Sequence, residues 1–303
     1  MPATNVETLT NPRDSLPNVY TNVTAREVDF VTRFGDNWTA LRNILGIMRP
    51  IRKAPGTSLV SYSASVALES GNVGPGEVIP YSKATIAQAS KANLTIEKYA
   101  KAVPIEDVNA YGAEIAVEKS DDAFLTQLQN AVLTKFYTFL NTGTLAPAQG
   151  VTVATWQDAL AKAQGLVLNK FADMQKDVTA VVGFANILDA YDYLGTADIT
   201  IQTQFGLTYI KDFLGLGTVL LNSLVPKGKI YATAKENLVL YYVPANDADL
   251  NEAFSFTSDE TGLIGIHEAP DYTNMTASDT VINGMKLLAE QLDGVVVASI
   301  TGG

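Results

Sequence analysis

Two runs of strand character, residues 57–68 and a second within residues 86–102, flank the stretch GNVGPGEVIPYSK (71–83), which is dense in glycine and proline. In the first run Tyr62, Ala64, Val66 and Leu68 alternate with Ser61, Ser63, Ser65 and Ala67, giving one weakly apolar face and one rich in serine. The second run contains ANLTIEKYAKA, where Leu94 and Ile96 alternate with polar neighbours. This spacing predicts a long hairpin with a loose tip. An isolated two-stranded sheet is marginal in water, and this one carries too little apolar surface to build a core. Whatever the chain folds into must therefore give the hairpin a packing partner.

Charge points the same way. Only 17% of the 303 residues are charged, against about 25% in an ordinary soluble domain, so less of the surface is made for water. The net charge of −11 is unevenly placed: residues 1–150 hold 13 Lys+Arg and 14 Asp+Glu, whereas 151–303 hold 8 and 18. An acidic chain is a poor phosphate-backbone binder, because such affinity comes from Lys and Arg releasing counterions. Cysteine is absent and His267 is the only histidine, which excludes disulfides, thiolate chemistry and multi-histidine metal sites. Residues 1–30 hold no apolar run of the secretory-signal kind, and no run of about 18 apolar residues predicts a membrane span.

Along the chain, residues 1–23 read as an extended arm, with Pro2, Pro12 and Pro17 among scattered polar residues. The capping box Thr24-Ala-Arg-Glu27 predicts a helix start, and a second short helix is expected around Trp38, Leu41, Ile44 and Leu45. The strongest local signal is residues 120–141. Ser120 suits an N-cap, Asp121 and Asp122 suit the positive end of a helix, and Leu125, Leu128, Val132, Phe136 and Leu140 recur at helical spacing. Thr155-Trp-Gln-Asp158 opens another helix running to about Asp173, VTAVVGF (178–184) reads as a buried strand, and ANILDAYDYLG (185–195) as a short helix. Strands are expected near 217–225, 229–234 and 237–243, so the middle of the chain is an α/β unit; 262–269 and about 280–300 read as strands again, where Val281, Met285 and Leu288 would also fit a helix but Gly284 and DGVVVASI favour strand.

No constellation for chemistry assembles. Leu214-Gly215-Leu216-Gly217 lacks the third glycine of a dinucleotide fingerprint, and Lys227 and Lys229 in PKGK lack the spacing of a phosphate loop. Asp247, Asp249 and Asn251 open like a calcium loop, but Glu252 and Ser258 stand where glycine and glutamate are needed. His267 beside Glu268 reads as a structural histidine rather than a general base. The basic cluster Arg49, Arg52 and Lys53 reads as a partner for a neighbour's carboxylates. The expectation is no catalytic residue, no cofactor and no metal.

The order of elements resembles the major capsid protein of tailed bacteriophages, the fold named after phage Hong Kong 97 and shared with encapsulins. The resemblance is carried by the hairpin Leu59 to Ala102, SDDAFLTQLQNAVLTKFYTFLNTG (120–143), TAVVGFANILDAYDYLG (179–195), LVPKGKIYATAKENLVLYYVP (224–244) and LLAEQLDGVVVASI (287–300). It implies an α+β fold with an N-terminal arm (1–54), an extended β-hairpin extension loop (55–92), a peripheral domain (93–145 and 257–292) with a long spine helix at 120–141, and a central α/β axial domain (146–256 and 293–303). The implied partners are other copies of the chain in hexamers and pentamers, together with scaffolding, portal and decoration proteins. The implied place is the virion, assembled in the host cytoplasm, around DNA bound without sequence specificity and with no membrane. In some relatives an extension-loop lysine is joined to a neighbour's asparagine with a glutamate as base; Lys83, Asn274 and Glu268 are the corresponding candidates. Their polar settings predict a noncovalent shell instead. An encapsulin-like compartment and an α/β enzyme remain as alternatives.

Overall fold

A computed structural model describes residues 17–46, 50–145, 151–195, 202–204, 207–247 and 254–301. In chain order the elements begin with α1 (Pro17–Leu45), β1 (Ile51–Arg52), β2 (Ser58–Ala67), β3 (Lys83–Asn93), β4 (Glu97–Pro104), α2 (Ile105–Tyr111) and α3 (Ala113–Leu140). The middle holds β5 (Val151–Val153), α4 (Trp156–Asp173), β6 (Val181–Ala185), α5 (Ile187–Leu194), β7 (Gln202–Gln204), β8 (Leu207–Lys211), β9 (Thr218–Leu221), β10 (Lys229–Ala234) and β11 (Leu238–Tyr242). Last come β12 (Ile264–Asp271), β13 (Thr276–Asn283), β14 (Met285–Ala289) and β15 (Val295–Ile300). The fold is α+β.

The chain divides into two compact units. Unit 1 takes its described residues from Met1–Asp36, Glu97–Leu125 and Pro244–Asn283, and unit 2 from Asn37–Ile96, Thr126–Val243 and Gly284–Gly303. Unit 1 contains the antiparallel sheet β12-β13-β4. Its buried apolar residues include Phe30 and Val31 of α1, Ile264 and Ile266 of β12, and Val281 of β13. Phe30 meets Phe124 of α3 at 6.2 Å between ring centroids.

Unit 2 is built on the seven-stranded sheet β5-β15-β10-β6-β9-β8-β7. Strand period puts Val181, Ala185, Ile230, Ala232, Val296 and Ala298 on one of its faces, in one apolar cluster with Trp156, Leu160, Ala163, Val167 and Phe171 of α4. Those α4 residues recur at helical spacing because the helix must present a single apolar stripe. Its start is set locally, since the Thr155 hydroxyl accepts a hydrogen bond from the Asp158 N–H at 3.2 Å. On the opposite face Phe184 packs edge-on against Phe136 of α3, at 5.3 Å between centroids. A small sheet, β1-β11-β14, joins β11 to β14 antiparallel. The chain enters β14 through Gly284, where a Cβ would lie 2.7 Å from Val243 Cβ, so only glycine lets these two backbones approach.

Three local expectations are revised. Helix α1 is continuous from Pro17 to Leu45, so residues 17–23 are helical and no break precedes Trp38; residues 1–16 of the expected arm lie outside the described residues. Gly35 does not interrupt it and instead makes room for Asp259, whose Oδ2 would lie 2.9 Å from a Cβ there. The spine helix begins at Ala113 rather than Ser120. Gly112, at φ 84°, separates it from α2, and the Ser120 hydroxyl donates back to the Val117 carbonyl at 2.8 Å inside the helix. Finally, the strand opposite β2 is β3, residues 83–93, whereas β4 at 97–104 joins a different sheet.

Candidate assembly surface

The hairpin β2–β3 pairs Ser58 with Asn93 at its base and Ala67 with Lys83 at its far end, with a bulge between Ser61 and Tyr62. Its base is fixed by a reciprocal backbone exchange: the Gly56 N–H donates to the Leu94 carbonyl at 2.9 Å, and the Leu94 N–H to the Thr57 carbonyl at 3.0 Å. Leu94 is fully buried. It anchors a strand pair whose described side chains are mostly exposed. Two further hydrogen bonds tie the base to β14 and its end: the Ser61 hydroxyl donates to the Glu290 carbonyl, and Lys286 Nζ donates to the Asn93 carbonyl at 3.0 Å. Between these elements lies an open groove bordered by Lys53, Leu59, Tyr241, Leu288 and Glu290. The Tyr241 hydroxyl donates to Glu290 Oε1 at 2.9 Å; burial and this carboxylate push the phenol up to about 12.

Beyond its base the hairpin exposes apolar side chains in series. Tyr62, Val66 and Ile86 stand out from the strands, and Leu68, Val78, Ile79 and Tyr81 from the tip, with Leu68 84%, Val78 88% and Tyr81 95% exposed. The tip's own hydrogen bonds are few and local, such as Glu77 accepting from the Gly74 N–H at 2.9 Å. The exposed apolar groups thus run along the hairpin from its strands to its tip. Unit 1 and the seven-stranded sheet hold smaller exposed groups of the same kind, including Tyr272 and Met275 in the β12–β13 turn and Leu188 and Tyr191 on α5.

The candidate chemical residues do not converge. Gly215, at φ 81°, closes a tight turn that leads into β9 rather than a helix. Pro226 to Lys229 is a β-turn in which the Lys229 N–H donates to the Pro226 carbonyl at 3.1 Å; Lys227 lies 3.6 Å from Asp192, and Lys229 Nζ donates to Asn141 Oδ1 at 3.0 Å. Asp249, Asn251 and Glu252 lie outside the described residues, as does Arg49, while Ser258 donates to the Ile264 carbonyl at 2.7 Å. Among the described residues no group of three or more His, Asp or Glu is arranged for a metal ion, and no helix is long and apolar enough to cross a membrane. Lys83 is exposed at the start of β3. Asn274 is exposed in the β12–β13 turn, its Nδ2 donating to Asp271 Oδ2 at 2.9 Å.

Glu268 is not beside Asn274 in function. It belongs to a charge cluster in unit 1 that no local sequence signal marked. Arg26 donates to Asp121 through Nε (2.6 Å) and Nη2 (2.8 Å) and to Asp279 through Nη2 (2.6 Å), and its Nη1 lies 3.1 Å from Glu268 Oε1. Lys101 donates to Asp121, reaches Asp279 at 2.7 Å and Ser120 at 3.0 Å. Burial by itself would raise the Asp121 carboxyl, but hydrogen bonds from Arg26 and Lys101 outweigh it and hold the group below its ordinary range. Glu27, expected to cap its own helix, instead accepts from the Thr257 hydroxyl and from the Glu268 N–H at 2.8 Å.

No protein-family model matches the sequence, and no curated protein does. Solved structures do. The capsid asymmetric unit of cyanophage A-1(L) aligns over 86% of this chain and 92% of its own, with a TM-score of 0.52 at 12% identity. A structure from Mycobacterium phage Patience aligns over 93% and 89%, with a TM-score of 0.51 at 10% identity. The mature capsid asymmetric unit of bacteriophage PhiM1 aligns over 84% and 85%, with a TM-score of 0.50 at 9% identity. A projecting hairpin, a long helix contributing residues to both units, a three-stranded sheet and a mixed seven-stranded sheet, in this chain order, make up the phage Hong Kong 97 type of capsid fold, and that is the fold of this chain.

Proposed function

We propose that the chain is a non-catalytic shell subunit that self-assembles, as hexamers and pentamers, into the icosahedral capsid of a tailed bacteriophage and encloses its double-stranded DNA. The hairpin carries this reading: it exposes Leu68, Val78, Ile79 and Tyr81 beyond a base that is firmly attached. Its packing partner is a second copy, over which it lies as an extension loop. The sheet β12-β13-β4 with α1 as far as Asp36 and the first turns of α3 is the peripheral domain, and the seven-stranded sheet is the axial domain. Further partners are a scaffolding protein, a portal and decoration proteins, with assembly in the host cytoplasm and residence in the virion. The acidity of residues 151–303 suits a container that holds DNA without gripping it.

Expression of the chain, alone and with a scaffolding protein, is expected to give closed, roughly spherical particles in negative-stain micrographs. A stable monomer at high concentration under assembly conditions would overturn the reading. Particles purified from their natural source should contain DNA; a protein cargo in its place would make the shell an encapsulin-like compartment.

The shell is held by noncovalent contacts. Lys83 stands between exposed Ser82 and Ala84 and is itself exposed. Glu268 is directed to Arg26. Mature particles boiled in detergent are expected to run as one band near 32.4 kDa, and a ladder of covalent multimers would refute this.

A further inference from the structure

Two cations and four carboxylates meet inside unit 1, and they do not balance. Arg26 and Glu27 come from α1, Lys101 from β4, Asp121 from α3, Glu268 from β12 and Asp279 from β13. The side chains of Asp121 and Glu268 are 4% exposed and that of Asp279 is 2% exposed. Asp121 and Asp279 each bind both cations, and Glu27 accepts from Thr257 and a backbone N–H. Glu268 differs. Neither of its carboxyl oxygens takes part in a hydrogen bond among the described residues, and the nearby Arg26 Nη1 approaches without hydrogen-bond geometry. Asp279 lies opposite it in the strand register, and Glu27 and Asp121 act on it through space. His267, next in β12, projects from the other face of the strand. An ionised carboxylate here would be stripped of water, bound by no donor, and set against three like charges for a share of one guanidinium.

We propose that Glu268 is a proton-operated latch that holds helix α1 on the sheet of unit 1, closed while the carboxyl is protonated and loosened when it ionises against Glu27, Asp121 and Asp279. Burial raises the Glu268 carboxyl most; Arg26 opposes this, Asp279, Glu27 and Asp121 add to it, and the group is pushed up to about 8. The unfolded chain releases the same proton near 4.5. Stability from this group is therefore full below the lower value, falls as pH rises between the two, and is level above the upper one. Asp121 works in the opposite sense, but its contribution is lost only as pH falls below its ordinary value of 3.8, outside that window. The latch belongs to the subunit whether or not it assembles.

The test is thermal melting and hydrogen exchange of the full-length protein at pH 6 and pH 9, for the wild type and for Glu268→Gln, which keeps the shape of the protonated form. The wild-type melting temperature is expected to fall by about 8 °C across this interval. Its α1 amides around Val28 to Phe34 should lose about tenfold in protection after correction for intrinsic exchange. Glu268→Gln should lose less than half as much of either. If that variant does not fold, Glu27→Gln serves instead: it keeps an acceptor for Thr257 but removes one opposing charge, moving the midpoint of the fall to lower pH. No fall in the wild type, an equal fall in Glu268→Gln, or an unmoved midpoint in Glu27→Gln would each overturn the latch.

Discussion

Deleting residues 70–82, with Leu68→Asn and Glu69→Gly to close the shortened hairpin, is expected to leave the subunit folded and to abolish closed particles. Ala67 and Lys83 are register partners, so two residues remain between them, and Asn-Gly is the pair best suited to a two-residue hairpin turn. The removed segment contributes almost nothing to the subunit's own core, because Val78, Ile79 and Tyr81 are all exposed. Circular dichroism and the melting temperature of the variant should therefore match the wild type to within about 2 °C. Assembly is another matter. Three apolar side chains that would be covered by a neighbour are each worth about 1.5–3 kcal/mol when fully buried. Losing even about 5 kcal/mol per subunit raises the concentration needed for association more than a thousandfold. Particle yield by sedimentation and microscopy is the measurement. Normal particles from the variant would remove the hairpin from the interface; an unfolded variant would mean that the tip serves the subunit's own fold.

The second large effect is expected from Arg26→Met, at about 3–5 kcal/mol of lost stability and a melting temperature lowered by about 10 °C. The guanidinium is the hub through which α1 reaches Asp121 and Asp279, both almost wholly buried. Methionine fills much of the volume but leaves two buried carboxylates to Lys101, and removes the cation that stands 3.1 Å from Glu268. The cost comes from stranding charges already taken out of water, which exceeds the net worth of the ion pairs themselves. Arg33 provides the control. It pairs with Asp29 and Asp122 at 2.9 and 2.7 Å, but all three side chains are more than 40% exposed, so Arg33→Met should cost less than about 1 kcal/mol. Urea denaturation of both variants tests the contrast, and equal losses would show that burial is not what gives the Arg26 cluster its weight.

Much of the architecture was legible because it is written in local period and end signals. The apolar stripe Leu125, Leu128, Val132, Phe136 and Leu140 identified the spine helix, and all five residues are buried. Thr155 does cap α4, VVGFA is a strand buried throughout, and the late strands lie close to where β-branched runs placed them. The hairpin with its glycine-rich tip was legible too, from alternation followed by residues unable to pack. These features depend on neighbours within a turn or two of the chain, so the linear sequence contains their whole cause.

What the sequence by itself determined about this protein is most of its longer elements, their order, and a hairpin whose tip cannot pack on itself. Only the tertiary structure decided which strand closes that hairpin, where α1 and α3 begin, and what Glu27 and Asp121 are for. In isolation Glu27 is a good capping-box residue and Asp121 a good helix-start charge; in the fold both are buried in the cluster centred on Arg26. The reason is range. Arg26 meets Asp121 from 95 residues away and Asp279 from 253, and a buried charge gains far more from a desolvated partner than a helix end offers it. The same holds for strand choice: residues 92–102 alternate well enough to pair with β2, but Leu94 is drawn into the core at the hairpin base and β4 pairs along its whole length with β13. Local pattern proposes such pairings, and burial of apolar and charged groups across the whole chain selects among them.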